Sequence, residues 1–217
     1  MVYLNYDMET FPHLVRRVPM NNIMNNTKKI MEIERDGISR LIETADETFE
    51  RAVKAILECN GKVIISGVGK SGHVGRKIAA TLASTGTPSF FIHSTEGVHG
   101  DLGMIEATDI MILISNSGET MEVLSLLPTL KKIGCKLIAI TSNAKSTLAN
   151  HSNVTLSFSY ETEADELNLA PSVSSTITLV IGDAIALAVS KELEFKKEDF
   201  HLSHPGGSLG GKLYNGN

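Results

Sequence analysis

The sequence is poor in aromatic residues, and it has no excess of positive charge. It contains no tryptophan, and aromatic residues make up only 5% of the chain, which disfavours the aromatic platforms on which nucleobases stack. The formal net charge is −5, whereas a nucleic-acid-binding domain normally carries a basic face. We therefore expect no nucleic-acid partner.

Cysteine, a signal peptide and long apolar runs are also scarce or missing. Cys59 and Cys135 are the only cysteines; they lie far apart and lack CxxC spacing, which favours two unpaired thiols over a disulfide. The N-terminal stretch MVYLNYDMETFPHLVRRVPMNN has acidic residues and no apolar core, unlike a signal peptide. No uninterrupted apolar run approaches the roughly 18 residues of a membrane span. We expect a cytoplasmic protein with no membrane partner.

The hydrophobic pattern of the 217-residue chain predicts helices followed by a repeating strand–helix unit. Apolar residues recur at three- and four-residue spacing from Thr27 to about Cys59, which predicts one long helix or a helical pair, with Gly37 as a break or bend. The predicted strands are Lys62–Ser66, Pro88–His93, Asp109–Ile114, Leu137–Thr141 and Val154–Phe158. The predicted helices between and after them are Val74–Thr85, Met121–Ile133, a short helix near 145–150 and a buried helix with Pro171 in its first turn.

This alternation predicts an α/β fold: a three-layer α-β-α sandwich with a central parallel five-stranded sheet and an N-terminal helical extension. Residues 1–26 read as a flexible leader because they are polar and irregular. Residues 27–217 are expected to form one domain. Gly182 and Asp183 interrupt the apolar segment after Pro171, so we interpret it as a buried helix rather than a membrane span.

The stretch GVGKSGHVG combines two familiar nucleotide-binding signals, and neither is complete. A P-loop has the pattern GxxxxGK[ST], and Ile64 stands where its first glycine should be. The G-x-G-x-x-G pattern of Gly67, Gly69 and Gly72 requires an acidic residue at the end of the second strand for the ribose. That strand ends in His93, and Glu96 comes late, in a predicted loop. A nucleotide or dinucleotide site is therefore disfavoured.

A second strand-to-helix loop, ISNSGET, favours a phosphate ligand. Ser115, Ser117 and Thr120 surround Gly118 immediately before a predicted helix. Hydroxyls together with backbone N–H groups at a helix N-terminus suit a phosphate dianion, although ordinary N-capping by Ser and Thr is the alternative. The loops after parallel strands meet at one edge of the sheet. We therefore expect Gly69, Lys70 and Ser71 of the first loop to contact the body of the same small phosphorylated ligand.

Several long motifs in a fixed order carry a resemblance to a known family. GVGKSGHVGRKIAATLASTGTPSFF, HGDLGMI, ISNSGET, LAPSVSST, GDAIALA and DFHLSHPGGSLG together resemble the D-arabinose 5-phosphate isomerase family of sugar isomerase (SIS) domains. The resemblance runs from about Ile33 to Leu213. It implies a SIS fold, a homotetramer, no required metal or organic cofactor, and interconversion of D-ribulose 5-phosphate and D-arabinose 5-phosphate. The product would supply Kdo synthesis for lipopolysaccharide or capsule.

The resemblance also implies which residues carry the chemistry. An aldose–ketose isomerisation needs an acid/base near neutral pH and a group that stabilises the enediolate. By matching motifs, Lys70 is the electrostatic group, and Glu163 and His204 are the acid/base candidates. His99 competes with them for C1–C2 proton transfer or ring opening, and Glu122 orients a partner or the sugar hydroxyls. A site of this kind is expected to be shared between subunits, because His204 lies far along the chain from Lys70.

Two questions stay open from the sequence. Many family members continue into a pair of CBS domains, which we do not expect here, so control could instead come from a feedback nucleotide sugar or be absent. The rival functions are a non-catalytic sugar-phosphate-binding regulatory module and an isomerase of another phosphosugar. The histidine spacing is not that of a metal site.

Overall fold

A five-stranded parallel sheet forms the centre of the molecule, as the sequence predicts. The structure, a computed structural model, describes residues 22–203. The strands are β1 (Val63–Gly67), β2 (Ser89–His93), β3 (Ile110–Ile114), β4 (Lys136–Thr141) and β5 (Val154–Ser157). They pair in the order β2-β1-β3-β4-β5, and all four pairings are parallel. This is the flavodoxin-like order of a doubly wound sheet.

Helices cover both faces of the sheet and confirm the three-layer arrangement. The helices are α1 (Ile23–Thr44), α2 (Glu47–Leu57), α3 (Gly69–Ser84), α4 (Ser94–Val98), α5 (Met121–Leu124), α6 (Leu127–Ile133), α7 (Thr147–Asn150), α8 (Val173–Glu192) and α9 (Lys197–Ser203), with a 3₁₀ helix at Asp101–Met104. On β1, Val63 and Ile65 join the core beneath α1, α2, α3 and α8. Ile64 points the other way, into the core beneath α5, α6 and α7, as the two-residue period of a strand requires.

The N-terminal helical segment is a pair, but Gly37 does not break it. The chain turns at Ala45 and Asp46, where the Asp46 carboxylate accepts a hydrogen bond from the Thr48 N–H (2.9 Å) and caps α2. Gly37 is buried in the middle of α1, and a Cβ there would meet the side chains of Val173 and Ile177 on α8. The glycine is needed for helix packing, which the local pattern could not reveal. The helix also begins at Ile23, four residues earlier than predicted.

Other element boundaries differ from the prediction for local reasons. The helix after β1 begins at Gly69 rather than at Val74. The predicted helix Met121–Ile133 is two short helices, with Pro128 in the first turn of the second. Glu96 lies in α4 rather than in a loop. Pro171 precedes α8 instead of standing in its first turn, and α9 was not predicted.

Helix α8 is more apolar than we expected from the presence of Gly182 and Asp183. Among the described residues it is long and apolar enough to cross a membrane, despite Gly182 and Asp183. Its partners are those of a core helix, because it packs against α1, α2 and α3. Asp183 is ion-paired with Lys77 on α3, and both cysteines are unpaired, as expected.

Candidate functional site

The loops after β1 and β3 meet at the carboxyl edge of the sheet, on either side of the point where the strand order reverses. Ligands of doubly wound folds bind in the crevice at this point. Lys70 and Ser71, which follow β1, and Asn116, which follows β3, line one pocket of about 160 Å³ there. Pro171, which precedes α8, and Ser174, Ser175 and Thr178 of α8 also line this pocket. We call it the lysine pocket.

A second pocket, of about 460 Å³, adjoins the first. Its lining includes Ser142, Tyr160, Glu163 and Asn168 from the loops that follow β4 and β5. Asn116 and Pro171 line both pockets, so the two share a wall. We call this second cavity the glutamate pocket.

The glycines that follow β1 pack α3 against the sheet. A Cβ on Gly67 would come within 3.2 Å of the Ser71 carbonyl carbon, and one on Gly72 within 3.1 Å of the Gly67 carbonyl oxygen. Gly69 has a left-handed φ of 58° and open space beside it. Gly67 therefore permits close packing of its backbone against the start of α3, which brings Lys70 and Ser71 directly to the strand edge.

The hydroxyls of the loop after β3 hold that loop in shape. The buried Ser115 Oγ accepts the Gly118 N–H (3.0 Å) and lies 2.7 Å from Thr120 Oγ1. The exposed Ser117 Oγ accepts the Glu119 N–H (3.2 Å). Thr120 stands at the N-cap of α5, but its side chain makes no capping hydrogen bond. Simple capping therefore does not account for Thr120, and Ser115, Ser117 and Thr120 line neither pocket.

Glu163 is a buried carboxylate that binds the N-terminus of α8. Its Oε2 accepts the Ser172 N–H (2.9 Å), the Ser172 hydroxyl (3.1 Å) and the Ser174 N–H (3.2 Å), and its Oε1 accepts the Ser174 hydroxyl. Burial alone would raise the pKa of Glu163, but these hydrogen bonds outweigh burial and lower the pKa below its ordinary value. These contacts favour the ionised carboxylate, and both of its oxygens accept hydrogen bonds at the N-terminus of α8.

The remaining predicted residues are not gathered in these pockets. His99 caps the C-terminus of α4 and is exposed, and Glu122 is exposed in the first turn of α5. Neither lines the lysine pocket or the glutamate pocket. His204 lies outside the described residues. Of the predicted site residues, Lys70 and Ser71 thus line the lysine pocket, and Glu163 lines the adjoining glutamate pocket.

Several residues of the two pockets were missed by sequence reasoning. Asn116 stands inside the ISNSGET motif between the serines that we singled out, and Ser174 stands inside the LAPSVSST motif. Tyr160 belongs to none of the motifs, and its hydrogen bond with Asn116 joins residues that are 44 positions apart in the sequence. Between residues 22 and 203, no group of three or more His, Cys, Asp or Glu side chains is arranged to hold a metal ion.

Comparisons with known proteins agree with this architecture. A protein-family model described as SIS domain matches residues 56–188. The chain is 52% identical over 186 residues to an arabinose 5-phosphate isomerase KdsD of Yersinia pestis, covering 86% of this chain and 57% of that protein. It is 50% identical over 199 residues to the KdsD of Francisella tularensis, covering 90% of this chain and 61% of the relative.

A solved structure gives a match over its whole length. A protein of E. coli CFT073, solved in complex with arabinose 5-phosphate, superposes with a TM-score of 0.84 at 48% identity, covering 87% of this chain and 100% of that one. By contrast, the chain spans less than two thirds of the length of the curated relatives it matches.

Proposed function

The chain belongs to the SIS domain family, and from this premise we propose that it is an aldose–ketose isomerase that interconverts D-ribulose 5-phosphate and D-arabinose 5-phosphate. The observation that carries the proposal is the pocket at the strand edge, where Lys70 and Ser71 lie, in a chain 48% identical to a protein solved with arabinose 5-phosphate. The names of the curated relatives support the same reaction.

The reaction moves a proton between C1 and C2 of the sugar, most simply through a cis-enediol. The Lys70 ammonium would stabilise the negative charge that develops on the substrate oxygens, or bind the phosphate. Ser115, Ser117 and Thr120, with Gly69 and Ser71, would hold the phosphate and the adjacent part of the substrate. Ser115 and Thr120 are 2.7 Å apart, so one of the two hydroxyls donates to the other and the second can donate to a ligand.

The contacts of Glu163 favour a positioning role over proton transfer. A general base works best when its pKa is near the working pH, and the pKa of Glu163 is lowered. Its carboxylate holds Ser172 and Ser174, and Ser174 lines the lysine pocket. We therefore assign the proton transfers and ring opening to His204 and His99, with Glu122 orienting one of them or the sugar.

Further features belong to the same proposal. The product would enter Kdo synthesis for lipopolysaccharide or capsule in the cytoplasm. A homotetramer is supported by α1, whose residues from 23 to 32 are all exposed and include Ile23, Met24, Ile30 and Met31. Control by a nucleotide sugar would act on the strand-edge site.

Proton NMR of D-arabinose 5-phosphate incubated with purified protein in D₂O, without added metal, tests the proposal. Conversion to ribulose 5-phosphate with deuterium at C1 would establish the isomerase and its enediol route. Ligand-induced thermal stabilisation without conversion would instead indicate a regulatory sugar-phosphate-binding module. If the protein shows neither conversion nor stabilisation, its phosphosugar is a different one.

A further inference from the structure

The backbone of Asn116 is firmly anchored at the wall between the two pockets. Its carbonyl oxygen accepts hydrogen bonds from the Ser142 N–H (2.9 Å), the Ser142 hydroxyl (2.8 Å) and the Thr141 hydroxyl (3.0 Å). Asn116 lines both the lysine pocket and the glutamate pocket. Pro171 is the other residue that lines both pockets, and its side chain has no polar atom.

The two ends of the Asn116 amide have different environments. Its Nδ2 donates to the hydroxyl oxygen of Tyr160 (2.9 Å), and the Tyr160 ring stacks on Phe158 with centroids 6.1 Å apart. Its Oδ1 is shielded from solvent and has no hydrogen-bond partner among the described residues. A buried acceptor without a partner is unfavourable, and native structures satisfy nearly all such atoms.

We propose that Asn116 is a specificity-determining residue whose Oδ1 accepts a hydrogen bond from a hydroxyl of the bound sugar, with Tyr160 holding the amide in that orientation. The inference rests on the proposed function, because it assumes that a phosphosugar occupies the strand-edge pockets. Since Nδ2 is engaged by Tyr160, the group left for the ligand is an acceptor. An acceptor attracts an O–H donor and does not bind a phosphate oxygen, so Asn116 reads the sugar body and not its phosphate.

A set of matched variants tests this assignment. Asn116→Leu keeps the branched shape of the side chain and removes both polar atoms, and Tyr160→Phe removes only the hydroxyl that holds Nδ2. We expect kcat/KM for D-arabinose 5-phosphate to fall roughly 5- to 100-fold in Asn116→Leu, mainly through KM, because the sugar hydroxyl is left without its partner. Tyr160→Phe should lose less, about 2- to 10-fold. Asn60→Leu, at an exposed asparagine ahead of β1 and away from the carboxyl edge of the sheet, is the control and should match wild type.

Inorganic phosphate as a competitive inhibitor separates a hydroxyl-reading role from general damage to the pocket. Its inhibition constant should stay within about two-fold of wild type in Asn116→Leu, because hydrogen bonds to the phosphate come from other groups. An unchanged kcat/KM in Asn116→Leu, or equal losses of sugar and phosphate binding, would overturn the assignment.

Binding measurements distinguish failure of this inference from failure of the proposed function. If wild type does not turn over D-arabinose 5-phosphate but is thermally stabilised by it, the isomerase proposal fails. The hydroxyl-reading role then stands only if Asn116→Leu loses that stabilisation while Asn60→Leu keeps it. If the wild-type protein neither converts nor binds the sugar phosphate, both proposals are overturned.

Discussion

At the scale of single residues, the environment of Glu163 decides what its carboxylate can do. Four hydrogen bonds from Ser172 and Ser174 stabilise the ionised form, and they lower the pKa although burial acts in the opposite direction. A carboxylate whose pKa is lower in the folded state than in the unfolded chain stabilises the fold when it is ionised. Glu163 should therefore contribute to stability near neutral pH and lose that contribution in acid.

Glu163→Gln should lower the free energy of unfolding by about 1–3 kcal/mol at pH 7, because an amide cannot accept from the Ser172 and Ser174 groups as the carboxylate does. The wild-type contribution is fully present above the unfolded pKa of about 4.3 and is lost as the pH falls through the lower folded pKa. The difference between wild type and Glu163→Gln should therefore shrink as the pH is lowered below about 4.3. Urea unfolding at a series of pH values measures it.

Glu166→Gln is the matched control, because Glu166 is an exposed acid on the same loop, and it should leave stability unchanged. A stability difference for Glu163→Gln that stays constant down to the lowest pH would contradict the pKa argument. Turnover provides a second reading. A general base is expected to contribute roughly 10²-fold or more to kcat. If Glu163→Gln retained its fold but lost that much of kcat, the result would support an acid/base role for Glu163.

At the scale of elements, the loop after β3 depends on contact with α7. Gly118 has a left-handed φ of 69°, and a Cβ there would overlap the side chain of Ser146, the N-cap of α7. The Gly118 carbonyl also accepts the Leu148 N–H (3.1 Å). The proposed phosphate loop is thus built directly on the start of α7.

Gly118→Ala should destabilise the protein by more than the left-handed backbone alone would cost. The backbone term is about 1 kcal/mol, and overlap with Ser146 should add about 1–3 kcal/mol by overpacking. Gly134→Ala is a close control, because Gly134 also has a left-handed φ (84°), but a Cβ there would have no other atom within 4 Å. Thermal or urea unfolding of the two variants measures the difference.

Equal destabilisation by Gly118→Ala and Gly134→Ala would show that Ser146 moves aside without cost, and that α7 does not fix the loop. If the loop binds phosphate, Gly118→Ala should also raise the inhibition constant of inorganic phosphate, whereas Gly134→Ala should leave it unchanged.

At the scale of the whole molecule, the described part of the chain provides only some of the expected chemistry. Lys70 and Glu163 reach the strand-edge pockets, whereas His99 and Glu122 line neither of them. The exposed apolar residues at the start of α1 form the kind of surface that the proposed homotetramer would cover. Both observations favour a site completed by assembly.

Mixing Lys70→Ala protein with His204→Ala protein tests the shared site. Each variant should be nearly inactive alone. After equimolar subunit exchange, activity should recover to roughly a quarter of wild type, because a quarter of the sites that combine two neighbouring subunits contain both intact residues. Recovery is measured as turnover of D-arabinose 5-phosphate. Absence of recovery, with exchange verified by differently tagged subunits, would place Lys70 and His204 of each site on one chain.

Sequence reasoning predicted the fold well because its signals are local. Buried parallel strands are short runs of aliphatic residues, as in DIMILI, and helices repeat their apolar residues every three or four positions. The alternation of the two then requires crossover connections and a parallel sheet. Where the prediction erred, as at Gly37, the deciding contact was with a residue of another helix, Val173.

The sequence by itself therefore determined the strands, most of the helices, the family resemblance and the two loops at the carboxyl edge of the sheet. Only the tertiary structure decided the partners of individual side chains. In it, the Glu163 carboxylate accepts hydrogen bonds at the N-terminus of α8, Asn116 donates to Tyr160, and Gly67 packs against the start of α3. The physical reason is that periodicity reports which face of an element is buried, whereas hydrogen-bond partners and close contacts join residues that are distant in the chain.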